Sequence, residues 1–217
     1  MTKKMMLLAL AVAAMFALPA AASAQEAHVS GITSFTGHAP AGTLTTSTEP
    51  TIKCTTTSVT GSFDSGSTTT GNITLDFTGC TAEFLGIKGN CNTAGAASGT
   101  IASSGAFHII TVSNKPGILV TPTTTTIVCV GFSRVEVSGN IIGTITSPAC
   151  GASSSNLVTA FESEGSTQKH LEYTGVKYDL KAQTENSAGE TSGSAATAGL
   201  SSTATLSSLT AGTLECT

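Results

Sequence analysis

Apolar and polar residues alternate along most of the chain in short runs rich in Val, Ile, Thr and Phe, each closed by Gly, Ser, Asn or Pro. A period of two is the pattern of a strand with one buried and one solvated face. It predicts strands near 29–36, 43–46, 51–63, 71–79, 99–103, 106–113, 117–121, 125–131, 134–138, 141–146, 157–162, 176–183, 202–209 and 212–216. Two reversals are legible. Asn114-Lys115-Pro116-Gly117 should turn the chain between two apolar runs, and Gly139-Asn140 should close a compact hairpin. Helical signals are poor, and the best of them, Ser163 to Glu172, is interrupted by Gly165. The stretch 184–199 is low in complexity and reads as a loop between late strands.

The first 24 residues differ from the rest. Lys3 and Lys4 precede a continuous apolar stretch from Met5 to Leu18, and Pro19 breaks it ahead of the small-x-small triplet Ala22-Ser23-Ala24. This is the layout of a cleaved signal peptide, and the apolar stretch is shorter than the about 20 residues a spanning helix needs. Residues 1–24 are therefore expected to be removed, leaving 25–217 as one exported β-sandwich domain with no membrane span of its own. The destination is outside the cytosol: released, periplasmic or held at a cell surface. No charged or Pro-rich linker divides the remainder into two domains.

Composition changes the picture in one respect. Charged residues are 10% of the chain, against about 25% in an ordinary globular domain, so hydroxyls carry much of its solubility. After the leader there are seven Lys and Arg against thirteen Asp and Glu. That balance argues against nucleic acid, whose phosphates are bound by displacing counterions with Lys and Arg.

Six cysteines, Cys54, Cys80, Cys91, Cys129, Cys150 and Cys216, follow the leader. An even number in an oxidising compartment reads as three disulfides, and the fold class is accordingly all-β, a disulfide-stapled antiparallel β-sandwich or barrel. Zinc would want tight pairs, yet the closest spacing, Cys80 to Cys91, has ten residues between. If 51–63 and 71–80 fold about residue 67 or 68, residue i faces roughly 135 − i, which makes Cys54–Cys80 the first pairing expected. A local Cys80–Cys91 loop competes with it.

Catalytic constellations are thin. No G-x-S-x-G or phosphate loop occurs, and Asp64, Asp76 and Asp179 form no calcium-binding run. No metal or other cofactor is expected. Of the four histidines, His28 and His38 lie near the start of the mature chain, His108 sits in an apolar strand as a packed imidazole, and His170 reads as a solvated loop residue. Glu162 and Glu164 would share one face of a strand and are the weak candidates for glycoside hydrolysis, with His170 beside them. With no Trp and only Tyr173 and Tyr178, an aromatic sugar platform has little to be built from. The Thr runs at 55–57, 68–70 and 123–126 could form an ice-binding face, but they show no fixed repeat, and β-propensity with uncharged polarity explains them.

Several blocks carry a resemblance. Ile52-Lys53-Cys54, Phe77-Thr78-Gly79-Cys80, the segment from Cys91 to Ile101, Gly117 to Pro122 and Val135 to Gly143 resemble a group of uncharacterised, secreted, β-rich proteins of actinobacteria. The likeness implies an exported β-protein and carries over no functional residue. Ile73 to Cys80 also resembles the strand before the second cysteine of chaperone–usher pilins, although six Cys and the ending Leu-Glu-Cys-Thr depart from that pattern. The function expected is that of a non-catalytic surface or matrix protein with a structural or adhesive role and a cell-surface or self-association partner. The alternatives are a pilin-like filament subunit and a secreted hydrolase using Glu162 and Glu164.

Overall fold

The computed structural model describes residues 26–47, 50–132, 134–185 and 190–216; the leader expected over 1–24 lies outside them. The described residues are all-β and contain no helix. Sixteen strands form one antiparallel sheet that closes on itself as a barrel of eight staves, several of them built from two consecutive strands.

β1 (His28–Ser30) is a short cap. β2 (Ser34–Ala39) and β3 (Gly42–Thr46) make the first stave, β4 (Ile52–Cys54) and β5 (Thr56–Phe63) the second, and β6 (Thr70–Thr78) and β7 (Thr81–Phe84) the third. The fourth is β8 (Ile87–Thr93) with β9 (Ile101–Val112), the fifth β10 (Lys115–Pro122) with β11 (Thr125–Cys129), and the sixth β12 (Arg134–Gly139) with β13 (Ile141–Ser147). The seventh begins as β14 (Ser153–Phe161). It then leaves the barrel in an excursion bearing β15 (Ser163–Glu164), β16 (Thr167–Gln168), β17 (Glu172–Tyr173) and β18 (Val176–Lys177), and resumes as β19 (Leu180–Glu185). β20 (Thr191–Glu215) is the eighth and pairs with the seventh on one side and the first on the other, which closes the ring. The end that carries β1 and the close of β20 is termed upper here, and the end with the Leu85-Gly86 turn lower.

Alternation decides which side chains line the barrel. In β5, Thr57 and Val59 are buried while Thr56, Ser58, Thr60 and Ser62 are exposed; in β6, Gly71 and Ile73 are buried while Asn72, Thr74, Asp76 and Thr78 are exposed. The interior is thus apolar and the outer wall hydroxyl-bearing, the reverse of the apolar outer band of a membrane barrel. Phe35, Phe63 and Phe107 fill the upper end in edge-to-face contact, with centroids 5.1–6.2 Å apart. Gly61 makes room for them, since a Cβ there would stand 2.2 Å from Phe35 Cζ.

The three disulfides are Cys54–Cys80, Cys91–Cys129 and Cys150–Cys216. The first is the pairing expected; the Cys80–Cys91 loop does not form. Residue i of the second stave faces 134 − i of the third, one position from the expected register, which sets Cys54 level with Cys80. Cys91 donates its N–H to Cys80 O at 2.9 Å and is the register partner of Cys129. Four cysteines on four adjacent staves therefore form one buried belt around the lower interior. Cys150–Cys216 ties the turn after β13 to the end of β20.

Several boundaries differ from those expected, each for a physical reason. Of sandwich and barrel, the barrel forms, because β20 is long enough to pair with both segments of the seventh stave on one side and both segments of the first on the other, and leaves no open edge. The expected loop at 184–199 is strand over 184–185 and 191–199, with 186–189 outside the described residues. Ladder pairing with β19, joined by β3 from Ala198 onward, overrides the weak propensities of that Gly- and Ser-rich stretch. It merges the strands expected at 202–209 and 212–216 into the same β20. Likewise 99–103 and 106–113 are one strand, β9. The reversal expected at Asn114 to Gly117 is a two-residue turn at Ser113-Asn114, both with positive φ, and Pro116 lies inside β10 opposite Thr111. Gly139-Asn140 closes no hairpin: β12 pairs with β11 and β19, β13 with β10 and β14, and the chain passes between them along one stave. The helical candidate 163–172 holds a tight reversal at Gly165 and belongs to short ladders.

Candidate functional site

The acidic pair singled out in the sequence lies on the excursion. Glu162 and Glu164 flank Ser163 at the mouth of the β15–β16 hairpin, where Lys169 N donates to Glu162 O at 2.9 Å. Lys169 Nζ lies 2.8 Å from Glu162 Oε2, and His170 Nε2 lies 3.9 Å from the same oxygen. Glu162, Lys169 and His170 are thus brought together, with His170 more buried than a solvated loop residue. The hydrogen bond and charge of Lys169 hold the Glu162 carboxyl below its ordinary range. A glycosidase acid needs the opposite shift, upward, in a water-poor pocket. Here both partners of the ion pair are about half exposed. Gln168, by contrast, is buried, and its amide, oriented to satisfy both neighbours, bridges Glu162 O and Leu200 N. It fastens the hairpin to β20.

A second cluster was not foreseen. Ile110, Val112, Leu119 and Ile142 point outward from the fourth to sixth staves, yet they are buried, because Tyr173 and Tyr178 of the excursion cover them. Tyr173 donates its hydroxyl to Glu26, whose other carboxylate oxygen lies 3.4 Å from His108 Nε2. His108 meets the edge of Tyr173 with ring centroids 5.9 Å apart, so this histidine is held on the outer wall rather than packed inside. Burial and the Glu26 charge push the Tyr173 phenol well above its ordinary value. The start of the described chain is tied down further: Ala27 N donates to Thr111 Oγ1, and Glu215 receives Ser30 Oγ and faces His28 Nε2 at 3.0 Å. His38, on β2, faces outward opposite Ser58 and Thr205. Tyr173, His108, Thr111 and Glu215 act as clasps for the N-terminal arm.

The outer wall carries its hydroxyls in register. Ser207, Thr36, Thr60, Thr74 and Ser104 stand side by side across five staves. The row follows a sheet that closes into a barrel, so it is curved rather than the flat array an ice face requires.

At the lower end the pattern inverts. The β7–β8 turn is Leu85-Gly86, with φ of 50° and 80°, the conformation of a two-residue type I′ hairpin in which Asn-Gly is the ordinary occupant. Leu85 is 87% exposed. Ile87 and, on the neighbouring β11–β12 turn, Val130 are also exposed, and Ile87 reaches Gly131 beside Val130. Lys88, next to Ile87, is exposed at the same end opposite Glu83, and Lys53 is exposed higher on the lower half, opposite Thr81.

The interior holds cavities. One, about 80 Å³, occupies the lower half between Leu44, Ile52, Phe77, Ile127 and Leu180. Two more of about 30 Å³ lie in the middle and at the upper end. Among the described residues no group of three or more His, Cys, Asp or Glu side chains is arranged to hold a metal ion.

Compared with models of protein families, with curated proteins and with solved structures, the chain gives no match.

Proposed function

We propose that this chain is an exported, non-catalytic surface or matrix protein with an adhesive role, and that it makes contact with lipid headgroups through the aliphatic tips of its lower rim. The observation that carries this reading is Leu85. It sits in a left-handed backbone conformation that costs an L-residue about 1 kcal/mol, and with Ile87 and Val130 it forms an exposed apolar patch. Contact outside the molecule is the remaining reason to keep it. Leu85, Ile87 and Val130 are too few for a stable protein interface, which buries about 800 Å² on each partner. They suffice for shallow insertion: burying such a side chain contributes about 1.5–3 kcal/mol, and each nearby Lys about 1 kcal/mol at an anionic surface. The sum describes weak, reversible attachment of the strength of a single acyl anchor. The disulfide belt directly above the rim keeps the two turns in fixed relation, and six paired cysteines suit an oxidising compartment.

The test is co-sedimentation with phosphatidylcholine vesicles, with and without phosphatidylglycerol. Binding is expected to both, stronger to the anionic mixture. Leu85→Asn should abolish it while raising the melting temperature, because Asn-Gly suits the turn. Failure of the native protein to sediment with either vesicle, or undiminished binding by Leu85→Asn, would refute the proposal.

A further inference from the structure

We infer that the barrel interior is a binding site for one slender, neutral aliphatic molecule bearing a single oxygen, of the alcohol or carbonyl class. The three cavities lie in line along the barrel axis. The lower and middle ones share Leu75, Phe77, Val120, Ile141 and Leu200 in their walls, and the middle and upper ones share Ile118 and Leu206. Rotamer changes of these few side chains would join the spaces. Together the spaces come near the roughly 150 Å³ that lets an apolar protein cavity admit benzene, here drawn out into a line. Close-packed interiors leave few voids larger than a water molecule, so a series of three on one axis calls for an explanation.

Among the described residues, the walls of these cavities also hold one buried polar atom with no hydrogen-bond partner. Thr57 is 3% exposed, lines the middle cavity, and its Oγ1 has no hydrogen-bond partner. The two other unpartnered buried atoms among the described residues, Arg134 Nε and Glu185 Oε2, face each other at 3.2 Å as an ion pair and lie elsewhere. The space in front of the Thr57 hydroxyl is kept open by Gly42, which lines the lower cavity. A Cβ on Gly42 would stand 3.7 Å from Thr57 Oγ1 and from the Phe77 ring, at ordinary contact and without a clash. Gly42 therefore keeps the wall between the two cavities thin at the hydroxyl. A buried hydroxyl left unpaired is costly, and a ligand oxygen placed there satisfies it. No cationic side chain lines any of the cavities, so a charged carboxylate would go uncompensated and the ligand is neutral. Entry is available at the seam of the fifth stave. Thr123, between β10 and β11, is exposed and also lines the lower cavity.

Calorimetric titration of the oxidised protein with 1-hexanol, and in parallel with hexane, tests the assignment. Saturable, one-to-one binding of hexanol is expected. Thr57→Val, which keeps the shape and removes the hydroxyl, should weaken hexanol about tenfold and leave hexane unchanged, since one hydrogen bond contributes about that factor. Thr57→Ser should retain hexanol binding, and Gly42→Val should weaken both ligands by filling the space. Leu85→Asn should leave hexanol affinity as it is, which separates this site from the lipid contact of the rim. Absence of saturable hexanol binding, or undiminished hexanol affinity in Thr57→Val, would overturn the inference.

Discussion

The disulfide belt makes a prediction whose size follows from chain positions alone. The three cystines close loops of 26, 38 and 66 residues that follow one another without overlap. Constraining the unfolded chain over such lengths is worth about 3.5, 3.9 and 4.3 kcal/mol respectively, and for loops that do not overlap these contributions add. Their sum is about 12 kcal/mol, as large as the whole stability of about 5–15 kcal/mol of a typical domain. Replacing Cys91 and Cys129 by Ala should thus lower the melting temperature by about 8–16 °C, and reduction of all three bonds should remove the cooperative melt. Burial orders the kinetics. Cys80 and Cys91 are 0% exposed, whereas Cys150 is exposed on its turn, so Cys150–Cys216 should open first in native buffer and the belt only on unfolding. Timed reduction, alkylation and peptide mapping read this directly. Equal rates at all three bonds, or a cooperative melt that survives full reduction, would refute the reasoning.

Two further outcomes are expected. The folded state holds Tyr173 neutral above its ordinary value of 10.0, chiefly through burial and then through the Glu26 carboxylate, so its contribution to stability is complete below pH 10 and is lost as the pH rises further. Absorbance at 295 nm should show a phenol that resists ionisation until the protein unfolds, and Tyr173→Phe should remove that component; a Tyr173 that titrates normally in the folded protein would contradict the Glu26 clasp. Ile110→Ala, beneath Tyr173 on the outer wall and fully buried, should cost about 2–5 kcal/mol in chemical denaturation, and a loss below about 1 kcal/mol would mean that the excursion does not cover this face.

The strands were legible because most of them bury one face only, and Thr57 and Val59 between exposed neighbours announce that alternation. The outer cluster was signalled where alternation stops. Ile109-Ile110, Ile118-Leu119-Val120 and Ile141-Ile142 are consecutive buried residues, the mark of strands covered on both faces. What covers them could not be read, since Tyr173 and Tyr178 sit in a stretch with no strong periodicity. The Cys91–Cys129 bond was hidden by a register change. The β9–β10 ladder pairs i with 227 − i and the β8–β11 ladder with 220 − i, because residues 94–100 leave the fourth stave between Thr93 and Ile101. Without that excursion Cys91 would be placed opposite residue 136. Thr57 as a candidate site residue gave no sign at all, because an inward Thr in a Thr-rich strand differs from its neighbours only in what lies across the barrel.

Closure of the barrel also accounts for the shortage of charge. Open sheets guard their edge strands with Lys, Pro or inward charges against pairing with another chain, and a ring of eight staves has no such edge to guard. The outer wall is then free to use Thr and Ser, which favour strands and bond across them, as Thr56 Oγ1 and Thr78 Oγ1 do at 2.7 Å. Charge is kept for fastening what is added to the ring: Glu26, His28 and Glu215 secure the N-terminal arm, Glu162 and Lys169 the excursion, and Arg134 and Glu185 the sixth stave to the seventh. Lys53 and Lys88, like Lys115 and Lys177, form no ion pair within 4.0 Å among the described residues, and of these Lys88 directly follows Ile87 of the exposed aliphatic rim while Lys53 lies on the same lower half, opposite Thr81. Changing Lys53 and Lys88 to Gln should leave the melting temperature unmoved and remove only the preference for anionic vesicles.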